Sequence, residues 1–229
     1  MRKVAIFDID GTIFRSSLLI ELTDSLIQAK LMPKSVGQAY AAARQKWLDR
    51  EGGYDDYIGA VIKAFESRLK GIPSKDFKRV ADKVVAQMSK HVYRYTRDLI
   101  QDLRQQGYYL LVISHSPKQI LDPFCAKLGF DKVYGRMYQI GPDGRYTGLT
   151  DNQELINDKA KILKRAIEKE NLTLRGSVGV GDSESDITFL KLVAKPICFN
   201  PNSKLLAYAK RKGWKVVVER KDVVYEFTR

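Results

Sequence analysis

Cysteine is scarce in this chain. Cys125 and Cys198 are the two present in 229 residues, so no disulfide framework is implied, and a reducing, cytoplasmic setting is expected. Both sit in apolar contexts, PFCAKL and PICFN, the surroundings of small buried thiols rather than reactive ones. No apolar run approaches the ~20 residues that a membrane-crossing helix needs, so no transmembrane segment is expected. The first apolar run follows Arg2 and Lys3 and stops at Asp8, too soon for a secretory signal. Internal repeats, low-complexity tracts and compact basic blocks are all lacking, which removes solenoids and basic tails from consideration.

What is present reads as an ordinary globular chain, with 44% hydrophobic and 29% charged residues. The formal net charge of +13 is the unusual quantity. Such a field suits nucleic acid, an anionic membrane surface, or small anionic substrates. The basic residues are spread along the sequence and mixed with acids, as in LKRAIEKENL, and no nucleic-acid-binding signature accompanies them. A solvated basic surface is therefore preferred over nucleic-acid binding, and steering of an anionic substrate stays open. Nothing in the sequence speaks to oligomeric state.

The chain alternates unevenly. A continuous apolar strand is expected over about 3–9, of the kind covered on both faces in a parallel sheet. Four segments then carry apolar residues at three- and four-residue spacing: SSLLIELTDSLIQAK, SVGQAYAAARQKWLDREG, YDDYIGAVIKAFESRLKG and SKDFKRVADKVVAQMSK. Ser74 offers an N-cap for the last. With no strand between them they predict a small helical bundle over 16–95. Alternation resumes with helix TRDLIQDLRQQG, strand YYLLVIS, helix KQILDPFCAKLG and a hairpin turning at Pro142-Asp143-Gly144. Helix DKAKILKRAIEKEN, strands SVGVGD and PICFN, helix SKLLAYAKRKG and a late strand KVVVE complete it. The expected architecture is an α/β, Rossmann-like parallel sheet core over 1–15 and 96–229, interrupted by an inserted α-helical bundle cap over 16–95.

In such sheets ligands gather outside the carboxyl ends of the strands. The first strand ends in FDIDGT, where Asp8 and Asp10 lie two apart and leave an extended chain on the same side. Two carboxylates held close repel, and a proton or a cation must intervene. The second apolar strand ends in Ser114-His115-Ser116, and the third in Gly181-Asp182-Ser183-Glu184-Ser185-Asp186. Between those two lies a lysine-bearing helix start, Asp158-Lys159-Ala160-Lys161. Acidic, hydroxyl and basic groups thus converge on one edge. Plainer readings exist for the individual residues: Ser183 and Asp186 have the spacing of a capping box, and a serine at a strand end commonly bonds local backbone.

The order DxDGT, an apolar strand ending in serine, a lysine, then GDxxxD resembles the haloacid dehalogenase (HAD) superfamily of phosphohydrolases. A helical insert directly after the first motif is similar to the phosphoserine phosphatase-like branch. The resemblance spans nearly the whole chain and implies a Mg²⁺-dependent phosphomonoesterase acting on a small phosphorylated metabolite. It implies Asp8 as nucleophile, forming an aspartyl-phosphate that water hydrolyses, and Asp10 as general acid and then base. Mg²⁺ would take ligands from the Asp8 carboxylate, the Asp10 backbone carbonyl and Asp182, with Asp186 ligating through water or orienting the shell. Ser114 and Lys159 would hold the phosphoryl group, with backbone amides near Gly11 and His115 completing the cradle. Lys159 is preferred over Lys161 and Lys164 on its spacing to Asp182.

The sequence departs from phosphoserine phosphatases where substrate is chosen. Their acidic residue shortly after the first motif is replaced by Arg15-Ser16-Ser17, and the stretch that would carry a cap arginine reads YDDYIGAVIKAF. Candidate cap contacts are Arg44, Trp47, Tyr54 and Tyr57, although aromatics at helical spacing also build bundle cores. Three alternatives keep the fold: a phosphotransferase using the same aspartyl-phosphate, a phosphoserine phosphatase, and a non-catalytic polyanion-binding protein.

Overall fold

In β1 (Arg2–Phe7) the four consecutive apolar residues Val4 to Phe7 are closed to water, after an exposed start at Arg2 and Lys3. Ala5 and Phe7 point into one hydrophobic cluster, Val4 and Ile6 into another. The two-residue pleat thus sends alternate side chains to opposite faces of a sheet covered on both sides. The computed structural model describes residues 1–151 and 153–227. Among them no helix is long and apolar enough to cross a membrane.

Helices α1 (Leu18–Gln28), α2 (Ser35–Leu48), α3 (Tyr54–Ser67) and α4 (Ser74–Met88) follow β1 without an intervening strand. Then come α5 (Arg94–Gln105), β2 (Tyr109–Pro117), α6 (Lys118–Leu128), β3 (Lys132–Ile140) and β4 (Tyr146–Asp151). The chain continues through α7 (Gln153–Ile156), α8 (Lys159–Lys169), β5 (Leu172–Gly181), a 3₁₀ turn at Glu184–Asp186 and α9 (Ile187–Leu190). It ends with β6 (Lys195–Phe199), α10 (Ser203–Lys212), β7 (Lys215–Arg220) and β8 (Val223–Phe227).

The eight strands form one sheet in the order β4-β3-β2-β1-β5-β6-β7-β8. Strands from β3 to β7 run parallel, and the edge strands β4 and β8 are antiparallel to their neighbours. From β1 the chain moves first to β2 and β3 on one side, later to β5, β6 and β7 on the other. The carboxyl ends of β1 and β5 therefore flank a topological switch point, where open α/β sheets leave a crevice.

The helices α1–α4 share one continuous apolar cluster with a face of the sheet, through Leu22, Phe65, Phe77 and Val84 among others. The β3–β4 hairpin also packs on them: Tyr146 meets Phe77 at a ring distance of 4.9 Å and Tyr138 meets Phe65 at 5.7 Å. Arg136 is ion-paired to Glu66 at 3.1 Å. The two connections into this helical segment run side by side. Arg15 N donates to His91 O at 3.0 Å and Tyr93 N to Ile13 O at 2.9 Å.

Three details differ from expectation. β1 stops at Phe7 rather than residue 9, because the Ile9 carbonyl turns away to accept from the amides of Thr12, Ile13 and Phe14. Pro73, not Ser74, occupies the N-cap of α4, its fixed φ suiting the entry to a helix. The final strand β8 escaped the pattern because one face of an edge strand is solvated, so VVYEF carries no buried periodicity.

Candidate active site

The turn after β1 is folded tightly enough to bring Asp8 and Asp10 into one crevice. Gly11 has φ +79°, and a Cβ there would collide with the Asp182 carboxylate, so this position takes glycine for both reasons. Its amide donates to the carbonyls of Phe14 and Ser16. The Gly11 N–H is thus committed to the turn.

Asp10 is held at both oxygens. Its Oδ1 accepts from Leu18 N at 2.6 Å, and Oδ2 from Ser116 Oγ at 2.6 Å and from Ser114 Oγ at 3.3 Å. Asp8 is held at one. Its Oδ1 accepts from Lys159 Nζ at 2.7 Å, and Oδ2 accepts no hydrogen bond among the described residues. Lys159 also donates to Asp186 Oδ1 at 2.6 Å. Lys159 stands at the first position of α8, whose N-cap Asp158 accepts from the amides of Ala160 and Lys161. That cap turns Lys159 inward, 2% exposed, while Lys161 lies at the surface.

Beyond β5, Ser183 and Asp186 form the capping box that their spacing suggested. Asp186 Oδ2 accepts from the amides of Asp182 and Ser183, both at 3.0 Å. A Cβ on Gly181 would stand 2.5 Å from that of Asp186, so this glycine lets the acid fold back over its own strand. Cap and site coincide in Asp186, which is fully buried. Thr12 Oγ1 donates to Asp182 Oδ1 at 3.2 Å and ties the turn after β1 to the end of β5.

The result is an electrostatically crowded crevice. Carboxylate oxygens of Asp8, Asp182 and Asp186 lie within 4.8 Å of one another. Burial, together with the charges of Asp186 and Asp10, outweighs Lys159 and pushes the Asp8 carboxyl up to about 7. Burial also raises Asp10, against the hydrogen bonds from Ser116 and Leu18 N. Asp182 lies well above the usual carboxylate range through burial and the charges of Asp8 and Asp186. Burial alone would depress Lys159, yet Asp186 and Asp8 hold it above its ordinary value. One lysine does not neutralise this set. The donors are all oxygen, which suits a hard divalent cation.

Of the residues singled out in the sequence, Asp8, Asp10, Ser114, Lys159, Asp182 and Asp186 thus meet at one crevice. Ser114 is 1% exposed, and its Oγ accepts from Ser116 N at 3.1 Å. His115 turns its side chain into the crevice, and its Nε2 is buried without a partner among the described residues. Burial and the neighbouring Lys159 push the imidazole down to about 4, so it is neutral at pH 7.

The crevice opens into a cavity of about 290 Å³, walled on the helical side by Ser17, Leu19, Tyr54, Asp55, Ile58 and Ile62. Of the four cap candidates, Tyr54 lines it. Tyr57 is buried against Tyr40 and Tyr54 in the helical cluster, Trp47 stacks edge-on with Tyr54 at 5.3 Å, and Arg44 is exposed. Ser116, Thr12, Asp55 and Glu184 were missed as functional positions. Ser116 had a signal, lying two residues from Ser114 on the same side of a strand.

Comparison with known proteins agrees with the geometry. The chain is 28% identical over 222 residues to the histidinol-phosphatase of Neisseria meningitidis serogroup C (strain 8013), covering 95% of this chain and 99% of that one. It is 22% identical to a phosphoserine phosphatase of Archaeoglobus fulgidus over 89% of this chain and 54% of that protein. A protein of unknown function from Bordetella pertussis Tohama I has the same fold, with TM-score 0.75 at 18% identity, covering 94% of this chain and 98% of that one. The model of the haloacid dehalogenase-like hydrolases matches residues 5–191, and the chain belongs to that family.

Proposed function

We propose that this protein is a Mg²⁺-dependent phosphomonoesterase that works through an aspartyl-phosphate on Asp8 and acts on a small phosphorylated metabolite. The observation that carries the reading is the unequal treatment of two neighbouring carboxyls: Asp10 is bonded at both oxygens, while Asp8 keeps Oδ2 free toward the cavity. Carboxyl pairs set apart by environment divide nucleophile from acid–base. The phosphatase activities of the two named relatives support it.

In the first step Asp8 Oδ2 attacks phosphorus and the bond to the leaving alkoxide breaks. Asp10, whose carboxyl burial raises above the ordinary carboxylate range, gives that oxygen its proton. In the second, water attacks the aspartyl-phosphate, Asp10 takes the water's proton, and the Asp8–phosphate bond breaks to release inorganic phosphate. Ser116 and Leu18 N keep Asp10 aligned through both transfers. Lys159 offsets charge on Asp8 and the phosphoryl oxygens, and Ser114 would turn its hydroxyl from the long 3.3 Å bond to Asp10 toward one of them. Asp8, Asp182 and Asp186 would hold Mg²⁺, with the Asp10 carbonyl beside them, and the ion supplies positive charge for the phosphoryl oxygens.

Residues 16–95 are read as a cap on a core of residues 1–15 and 96–229. The paired connections at Phe14 and Val92 support a hinge there, and a lid that closes over the cavity limits stray water. Two free buried thiols fit a reducing, cytoplasmic compartment.

The test is phosphate release from p-nitrophenyl phosphate and a panel of phosphorylated metabolites, with Mg²⁺ and with chelator. Asp8→Asn should abolish turnover in a folded protein, and acid-quenched wild type should carry phosphate on Asp8 by mass spectrometry. Turnover by Asp8→Asn, or phosphate on another residue, would end this reading.

A further inference from the structure

The floor of the cavity suits phosphoryl chemistry; its outer half is built for something else. In a chain of net charge +13, Lys159 is the one basic side chain among the described residues that line the cavity. Its ammonium is already enclosed by Asp8 and Asp186. A carboxylate on the organic part of a substrate finds no uncommitted cation there, since Lys204 at the mouth is held by Asp55 and Glu184.

Acids are present instead. Asp55 from α3 and Glu184 from the turn after β5 line the cavity where it opens to solvent, with side chains 57% and 31% exposed. Lys204 of α10, itself 65% exposed, bridges them, 2.5 Å from Glu184 and 3.5 Å from Asp55. Asn202 also donates to Glu184. Leu19, Ile58, Ile62 and the Tyr54 ring give the same cavity an apolar wall.

A second observation is independent of the acids. Ser17 Oγ and His115 Nε2 are buried polar atoms with no partner among the described residues, and both residues line this cavity. Ser17 is 1% exposed. Buried polar groups are ordinarily bonded, and two orphans facing one cavity mark places for heteroatoms of a ligand.

We infer that the cavity selects phosphomonoesters of amino alcohols that carry no carboxylate, with Asp55 and Glu184 taking the substrate's ammonium group in place of Lys204. This rests on the phosphatase reading and names its substrate class. Lys204 is suited to be displaced, because a long exposed side chain returns to water at little cost. The carbon body lies on the apolar wall, and Ser17 and His115 meet a hydrogen-bonding atom on it. O-phospho-L-serine has the amine but adds a carboxylate that nothing in the cavity neutralises.

The experiment measures kcat/KM with Mg²⁺ for L-histidinol phosphate, phosphoethanolamine, O-phospho-L-serine and the amine-free p-nitrophenyl phosphate. Phosphoethanolamine should exceed O-phospho-L-serine by roughly 10-fold or more, since the two differ by one carboxylate. L-histidinol phosphate, with a body that reaches the apolar wall, should be better still. Asp55→Asn and Glu184→Gln should each lower the L-histidinol phosphate to p-nitrophenyl phosphate ratio by about 10-fold, the worth of one charge-assisted bond. A preference for O-phospho-L-serine, or a ratio that neither variant moves, would overturn the inference. A parallel arm measures binding of L-histidinol phosphate to Asp8→Asn protein by calorimetry, where adding Asp55→Asn should weaken affinity about 10-fold. Lack of p-nitrophenyl phosphate turnover by the wild type would sink the phosphatase reading instead, and the calorimetric arm would still decide the selectivity.

Discussion

Replacing the proposed nucleophile should make the metal-free protein more stable, and only at one end of the pH range. Asp8 is 6% exposed, and burial with neighbouring acids lifts its carboxyl from an ordinary 3.8 to about 7. Below 3.8 the folded and unfolded chains both hold the proton, and the site is neutral to stability. Between 3.8 and about 7 the folded chain keeps a proton that the unfolded chain has lost, so stability falls as pH rises. Above about 7 the carboxyl is ionised in both, and the whole cost is present. At about 1.4 kcal/mol per pH unit that cost reaches about 4 kcal/mol, and at pH 5 it is roughly a third of that.

An asparagine in place of Asp8 keeps the shape and still accepts from Lys159, yet does not ionise. In chelator at pH 7.5, Asp8→Asn should therefore melt above wild type by roughly 5–15 °C, taking about 2–4 kcal/mol and the usual slope for a chain of this size. The gain should shrink by more than half at pH 5. Differential scanning calorimetry of both proteins at the two pH values, with and without Mg²⁺, reads this directly. Mg²⁺ should raise wild type more than the variant, because the cation relieves the same crowding. A variant no more stable than wild type at pH 7.5, or equally stabilised at both pH values, would refute the electrostatic account.

Other perturbations test other parts of the site. Lys159→Met leaves Asp8 and Asp186 buried without their counter-charge, and should cost about 3–5 kcal/mol in chelator by denaturant unfolding, less with Mg²⁺. Gly11→Ala meets both a positive φ and the Asp182 carboxylate; it should destabilise by more than about 1 kcal/mol and blunt the Mg²⁺ response in the same melts. Ser116→Ala removes the 2.6 Å bond to Asp10 and should lower kcat about 10-fold or more with little change in KM. His115, ordinarily near 6.5, is held down to about 4, so the folded protein loses stability as pH falls from about 6.5 to about 4. His115→Asn should flatten that acid limb, by up to about 3 kcal/mol, in the same calorimetric series.

The strand ends were legible in the sequence because each is a local event. Val4 to Phe7 is a buried run, and a run that breaks into Asp8 and Asp10 announces a crevice before any packing is known. The same holds for Ser114 after β2 and Asp182 after β5. Asp186 showed itself twice, as a cap and as an acid, and the structure gives both from one carboxylate. What escaped was set by contacts between distant segments. Tyr54 and Asp55 reach the cavity because α3 packs on α1 and α2, which periodicity does not reveal. Glu184 acquires its neighbours from α10, some 20 residues later. The Gly11 amide turned inward because the turn after β1 needed it, a choice made by backbone geometry that the letters DGT leave open.

The same geometry explains why so much like charge persists in one place. β1 is clamped between two apolar clusters, one on each face of the sheet, and its register with β2 and β5 is fixed through Phe7. Asp8 begins one residue past that anchor, with its amide bonded to Val180 O at 3.0 Å. It is therefore carried into the crevice by burial that has nothing to do with its own preference. Asp182 follows Gly181 at the end of β5 in the same way, and Asn202 N holds its carbonyl at 2.8 Å. Neither acid can retreat without breaking strand pairing, so repulsion is relieved by a bound proton or a bound cation rather than by motion. A fold that fixes its acids this firmly keeps them ready for a cation and a phosphoryl group. The stability it forgoes in their absence is the quantity that the Asp8→Asn melt measures.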